Sequence, residues 1–89
     1  MEKFKLRANH IRTLLYEQNF KCFVSGLELN YDNIEIEHII PLINGGKHEL
    51  ENLCLIDKSL RELKRYKTKE EIIELCKVIL QNELQLSNH

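Results

Sequence analysis

The sequence of 89 residues has one Pro, three Gly and no Trp, which excludes a collagen-like or low-complexity chain. It also lacks an excess of either charge, since 13 Lys and Arg residues against 14 Asp and Glu residues give a net charge of -1. This balance argues against a surface that is basic all over, although it allows a local basic patch. With 43% hydrophobic and 30% charged residues, the chain 1–89 is predicted to form one small soluble domain.

Long hydrophobic runs are missing too, because no apolar stretch reaches the roughly 18–20 residues that span a bilayer. The segment Met1–Arg7 has no apolar region behind it, so we expect no signal peptide and no membrane partner. Cys22, Cys54 and Cys76 are too widely spaced for a disulfide framework or a Cys-x-x-Cys zinc pair. We interpret them as structural thiols in a reducing environment, which predicts a cytoplasmic location.

Hydrophobic periodicity divides the chain into a helix, an irregular segment and two strands. Apolar residues at helical spacing predict an amphipathic helix from Phe4 to about Gln18, and residues 19–33 then lose any period. Alternation over residues 34–40 predicts a half-buried strand that Pro41 ends. The apolar residues 53–56 predict a second, antiparallel strand. The loop between the strands contains Asn44-Gly45-Gly46 and is longer than a hairpin needs, as functional loops often are.

Two helices are predicted after the strands. Asp57 can cap a short helix that ends near Tyr66-Lys67, and Thr68-Lys69-Glu70-Glu71 matches a capping box for a last helix. The predicted core stripe of that last helix consists of Ile72, Leu75, Cys76, Ile79 and Leu80. The alternative is that the stripe is a partner surface that so small a domain leaves uncovered. The fold class is therefore α+β, with two strands and a helix between an N-terminal and a C-terminal helix.

The chemically informative residues lie at the end of the first predicted strand and the start of the second. Glu37 offers the hard oxygen ligands that Mg²⁺ or Mn²⁺ prefers. The adjacent His38 can accept a proton from water near neutral pH. Asn52 carries both a donor and an acceptor, so it can hold the loop backbone and orient the imidazole.

The stretch from Ile36 to Leu53, with Glu-His, Ile-Pro, Gly-Gly and Asn-Leu at these offsets, resembles the HNH endonucleases, also called the ββα-metal or His-Me finger group. Three further segments share the resemblance: Cys22–Gly26, Asn52–Lys58 and Thr68–Glu71, together with Lys64. The likeness covers about residues 10–80. It implies a ββα-metal core flanked by an N-terminal and a C-terminal helix.

The resemblance also implies a role for each matched residue. His38 would be the general base that activates water, Glu37 a metal ligand, and Asn52 the residue that orients the His38 loop. The cofactor would be one divalent cation, Mg²⁺ or Mn²⁺, and the partner would be DNA, whose phosphodiester bonds the family hydrolyses.

Two departures from the family pattern concern metal ligands. Arg61 and Arg65 stand where the family has a His or Asn ligand and, in some members, a further His. Three readings stay open: Arg61 contacts the phosphate, Asp57 or Glu62 replaces the missing ligand, or the site is inactive. Ser25 stands where a second zinc thiol would follow Cys22, and Asp57 and Leu60 where the other pair would be, so we expect no structural zinc.

A basic cluster coincides with the helix that would lie along DNA in this fold. The residues predicted to contact nucleic acid are Lys58, Arg61, Lys64 and Arg65, with His48 in the Gly-Gly loop. The leading hypothesis is a metal-dependent DNA endonuclease. The alternatives are a degenerate HNH domain that binds nucleic acid or protein without cutting, and a homodimer or a subunit of a larger nuclease assembly.

Overall fold

The computed structural model describes residues 3–87 and has an α+β architecture. In chain order its regular elements are α1 (Ala8–Glu17), β1 (Ile34–His38), β2 (Leu53–Asp57), α2 (Arg61–Lys64) and α3 (Lys69–Ser87). One-turn 3-10 helices at Leu42–Asn44, Leu50–Asn52 and Lys58–Leu60 join them. This arrangement confirms the predicted ββα core with helices on both flanks.

The N-terminal helix begins later than predicted, at Ala8 instead of Phe4. Phe4 and Leu6 are half-buried and alternate with exposed neighbours, which is the pattern of an extended segment packed on the core. The backbone N–H of Arg7 donates to Nδ1 of His10 at 3.0 Å. Because this bond occupies a backbone group just before the first turn, α1 starts there and not four residues earlier.

The two strands pair antiparallel, with Ile34 opposite Asp57 and His38 opposite Leu53. Residues 53–56 are all buried. Helix α1 contacts β2, and helix α2 contacts β1. The side chain of Gln18 pairs with the outer edge of β2, accepting the N–H of Leu55 and donating to its carbonyl oxygen, each at 2.9 Å. That pairing satisfies backbone groups that a two-stranded sheet would otherwise leave open.

The loop between the strands is tightly folded and not a loose connection. The N–H of Gly46 donates to the carbonyl of Pro41 at 3.1 Å, and Pro41 is fully buried. A Cβ atom on Gly46 would clash with the carbonyl oxygen of Ile40, and Gly45 has a φ of 91°. Both glycines are therefore required by the backbone of this bend.

The last helix begins as predicted but is not packed as predicted. The N–H of Thr68 donates to Oε1 of Glu71 at 3.0 Å, and the N–H of Glu71 donates to Oγ1 of Thr68 at 3.2 Å, which is a complete capping box.

Only Ile72 of the predicted core stripe is buried. The exposed apolar side chains of α3 are Ile73, Leu75, Val78, Ile79, Leu80, Leu84 and Leu86. The prediction of a core stripe is wrong beyond Ile72, because the small ββα core covers only the first turn of this 19-residue helix. The expected homodimer or larger assembly stays a prediction.

The cysteines divide into two buried residues and one exposed residue. Cys22 and Cys54 are buried, and burial raises the pKa of the Cys54 thiol to about 12. The sulfur of Cys22 accepts the N–H groups of Ser25 and Asp57, each at 3.4 Å. Those two thiols are structural as predicted, whereas Cys76 is exposed on α3.

Among residues 3–87, no helix combines the length and apolarity that crossing a membrane requires.

Candidate active site

An open pocket of about 270 Å³ lies at the end of β1. Its lining combines an acid, an imidazole, two guanidinium groups and an apolar rim: Glu37, His38, Arg61, Arg65, Leu42, Ile43 and Tyr66. The strand supplies the first two side chains, and the two guanidinium groups come from the first residue of α2 and from the residue that follows its end. The predicted acid–imidazole pair therefore borders one solvent-accessible site, together with two cationic side chains.

Glu37 borders this pocket and is half-buried. Loss of hydration raises the pKa of its carboxyl above the ordinary value, and the nearby positive charges of Lys64, Arg61 and Arg65 oppose that shift. Burial disfavours the carboxylate, while each cation favours it. Glu37 is thus one acid surrounded by three basic side chains.

His38 makes a direct contact with His48 of the loop. Nε2 of His38 lies 2.9 Å from Nδ1 of His48, and the ring of Phe4 packs against His48 with centroids 5.4 Å apart. Desolvation, followed by the positive charges of His48 and Lys64, lowers the pKa of His38. A lowered pKa keeps the imidazole neutral at more acidic pH, which is the state a general base needs.

Asn52 joins the two ends of the loop that follows His38. Its Oδ1 accepts the N–H of Ile40 at 2.9 Å, and its Nδ2 donates to the carbonyls of Ile40 and Lys47 at 3.0 and 2.8 Å. The backbone carbonyl of Asn52 also accepts the N–H of Ile39 at 2.7 Å. These bonds hold the chain immediately after the imidazole in one conformation.

The prediction that Lys64 contacts nucleic acid is wrong. Its side chain is completely buried, and its ammonium donates to the carbonyls of His38, Ile39 and Lys67 at 2.5, 3.2 and 2.8 Å. All three donors of the ammonium are used, so Lys64 is not available to a phosphate. It instead ties the end of α2 to the residue that carries the imidazole.

The prediction that Asp57 is a metal ligand together with Glu37 is wrong. It pairs with Ile34, whereas Glu37 pairs with Cys54, and residues three apart on a strand lie about 10 Å apart with side chains on opposite faces. The carboxylate of Asp57 accepts the N–H of Ser59 and the side-chain amide of Asn33, both at 2.9 Å. Asp57 is therefore a cap for the turn before α2, and it does not reach Glu37.

The remaining basic residues divide by position. Arg61 and Arg65 border the pocket with Glu37, while Lys58 is exposed beyond the opposite end of β2. Glu62 is exposed and does not border the pocket. Within residues 3–87, no group of three or more His, Cys, Asp and Glu side chains is arranged to hold a metal.

The donor set of the pocket suits a hard divalent cation only when a phosphate completes it. Glu37 supplies one carboxylate, and Mg²⁺ in proteins commonly uses one or two carboxylates together with substrate phosphates and water. Arg61 and Arg65 border the same pocket and repel a cation while no anion is present. Glu37 would therefore be the residue of this pocket that holds a divalent cation, and Arg61 and Arg65 would be the residues that hold a phosphate.

Sequence reasoning missed the apolar side of the pocket. Leu42, Ile43 and Tyr66 were not predicted site residues, yet they border it. The available signal was local: two apolar residues stand in a loop between Pro41 and Gly45, where no core periodicity requires them.

A strand–loop–strand–helix core with an acid and an imidazole at the strand tip defines an α+β domain of the ββα class. Residues 21–59 match the family model described as HNH endonuclease. The match supports the resemblance to the HNH endonucleases that the sequence predicts for this part of the chain. No curated protein matches the chain. A match to this family suggests a nuclease or nucleic-acid-related function, and HNH nucleases typically depend on a divalent metal.

Proposed function

We propose that this protein is a divalent-metal-dependent DNA endonuclease that uses His38 as its general base. The observation that carries the proposal is that Glu37, His38, Arg61 and Arg65 all border the same open pocket. A phosphodiester needs a base for the attacking water and positive charge for its oxygens, and these side chains are of the kinds that supply both.

Each side chain has a chemical task in this proposal. Neutral His38 takes a proton from the attacking water, and its lowered pKa keeps it able to do so below neutral pH. Arg61 and Arg65 donate to the phosphate oxygens, since guanidinium groups bind phosphate with paired hydrogen bonds. Glu37 would hold a Mg²⁺ or Mn²⁺ ion through its carboxylate. When bound, that cation neutralises charge on the phosphate and the leaving oxygen.

Cationic side chains near the His38–His48 pair support DNA as the partner. Arg61 and Arg65 border the same pocket as His38. Phe4 packs on His48, and Phe4 also lines a second cavity together with Lys3, Lys5 and Arg7. A polyanion bound at the His38–His48 pair would find basic side chains in both cavities.

A non-cutting nucleic-acid-binding domain is the second candidate function. It is favoured by the guanidinium of Arg61, which borders the pocket at the position where the family has a metal ligand. In that case the arginine side chains would bind DNA, and His38 would have no reacting water to deprotonate.

Plasmid nicking separates the two candidates. Supercoiled DNA is incubated with the protein in Mg²⁺, Mn²⁺ or EDTA, with His38→Ala and the exposed surface variant Gln81→Ala alongside. The proposal expects nicking that needs a divalent ion, survives in Gln81→Ala and is lost in His38→Ala. Binding of DNA with no nicking in either metal would support the second candidate instead. Nicking that persists in His38→Ala would remove the general base from the proposal.

A further inference from the structure

We propose that the pocket takes an unstacked nucleotide of a DNA strand, with the base against the apolar rim formed by Leu42, Ile43 and Tyr66. This inference rests on the proposed function and names its substrate class: DNA whose bases are unpaired or can be drawn out of the stack. The rim borders the same pocket as Arg61 and Arg65. The pocket thus pairs phosphate-binding groups with an apolar surface, as a nucleotide itself pairs a phosphate with a base.

The exposure of the rim is the first supporting observation. Ile43 is 74% exposed, Leu42 52% and Tyr66 56%, so three large side chains present apolar surface to water beside charged groups. Scattered single apolar residues on a surface need no explanation, whereas these three border one pocket together with two guanidinium groups. A bare phosphate has no apolar surface to cover them, whereas the face of a base does.

The rigidity of the loop is the second supporting observation. Leu42 and Ile43 lie in the 3-10 turn Leu42–Asn44, which the Asn44 N–H closes by donating to Pro41 at 2.9 Å. The Asn52 side chain and the buried Pro41 hold the two ends of the loop. The apolar tip is therefore held outward by its own backbone bonds. Preorganised apolar side chains of this kind act as wedges between base steps in other DNA-binding proteins.

The position of Tyr66 is the third supporting observation. The guanidinium of Arg65 lies 5.2 Å from the centre of the Tyr66 ring, so a phosphate-binding group and an aromatic ring are adjacent. Aromatic rings and guanidinium planes are the surfaces on which single-stranded nucleic acids stack their bases. The pair suits one nucleotide, with its phosphate toward Arg65 and its base toward the ring.

The test compares binding of two single strands that differ only in their bases. Fluorescent DNA oligonucleotides of equal length carry either normal bases or a central run of abasic units, so their phosphate charge is the same. Binding is measured by anisotropy in EDTA, which prevents metal-dependent cleavage. The proteins are the unaltered chain, Ile43→Ser, Tyr66→Ser, and Val78→Ser as a control, because Val78 is equally apolar and 58% exposed on α3.

The unaltered protein should bind the base-containing strand about tenfold more tightly than the abasic strand, as one or two stacked bases would give. Ile43→Ser and Tyr66→Ser should each reduce that preference, and Val78→Ser should keep it. Circular dichroism of every variant verifies that the fold is retained. If either rim variant unfolds, the other still reports on the same pocket.

Equal binding of both strands by the unaltered protein, or a full preference in both rim variants, would overturn the inference. Plasmid nicking by the same preparation keeps that failure separate from failure of the proposed function. Nicking without a base preference would contradict the nucleotide pocket but not the proposed nuclease function. A base preference without nicking would contradict the nuclease function but not the nucleotide pocket. Absence of binding to either strand would contradict both.

Discussion

Nε2 of His38 and Nδ1 of His48 lie 2.9 Å apart, although the two residues are ten positions apart in the sequence and a folded loop connects them. One of the two nitrogens must donate a proton to the other. The contact therefore ties the proposed base to a residue that sequence reasoning had assigned to the phosphate. It also places a second titratable ring beside the base, with consequences for pH dependence.

Nicking should continue at acidic pH values at which an ordinary histidine would already be protonated. Desolvation and the neighbouring positive charges lower the pKa of His38 from 6.5, so the neutral, proton-accepting form persists below that pH. The acid limb of the rate should accordingly lie below pH 6.5. His48→Ala removes one positive neighbour and should move the limb toward higher pH.

The profile is measured by plasmid nicking from pH 5 upward, roughly the range over which a histidine changes charge. Lys47→Ala, an exposed neighbour in the same loop, is the control and should leave the limb in place. A limb above pH 6.5 in the unaltered protein, or one that His48→Ala does not move, would contradict this account.

Removal of the Lys64 ammonium should destabilise the fold. Lys64→Met keeps the aliphatic volume but leaves the carbonyls of His38, Ile39 and Lys67 without their buried donor. We expect the free energy of unfolding to fall by about 3 kcal/mol, since the lost bonds are charge-assisted and buried. Urea denaturation measures this value. The exposed Lys58 provides the matched variant Lys58→Met, which should change stability by less than about 0.5 kcal/mol. Equal stabilities for the two variants would contradict this structural role of the Lys64 ammonium.

Exchange of Arg61 should strengthen metal binding by the DNA-free protein. Arg61 borders the pocket beside Glu37, so Arg61→Asn replaces a repelling guanidinium with an amide oxygen at the family's ligand position. Affinity for Mn²⁺ should rise about tenfold, the lower end of what altered ligand surroundings give. Electron paramagnetic resonance of free Mn²⁺ measures this without any cleavage. Arg12→Asn on the exposed surface of α1 is the control. Tight Mn²⁺ binding by the unaltered protein without DNA would refute the idea that phosphate completes the site.

Loss of the Asn52 side chain should loosen the loop and lower activity together. Asn52→Ala removes bonds to Ile40 and Lys47 that close the loop. We expect about 2 kcal/mol of lost stability and a lower rate of nicking at saturating DNA, because the chain after His38 is no longer held. Hydrogen exchange of the Ile40 amide reports the loop directly. Faster nicking by Asn52→Ala, or an unchanged Ile40 amide, would argue against the positioning role.

Much of the fold was predictable because local chemistry decides it. The strands at residues 34–38 and 53–57 follow from alternation and from an apolar run, and the Thr68–Glu71 capping box forms as the pattern predicts. The start of α1 was less predictable. Phe4 and Leu6 fit a helical and an extended spacing equally well, and only packing on the core chooses between them.

The sequence by itself determined which groups could carry the chemistry: Glu37 and His38 at a strand end, and Asn52 at the start of the next strand. Only the tertiary structure decided what the basic and acidic residues around them do. Lys64 is buried against backbone carbonyls, Asp57 lies on the other face of the sheet, and Ile43 borders the pocket. The physical reason is that residue type limits which interactions are possible, whereas strand register and helix packing determine which partners lie within reach.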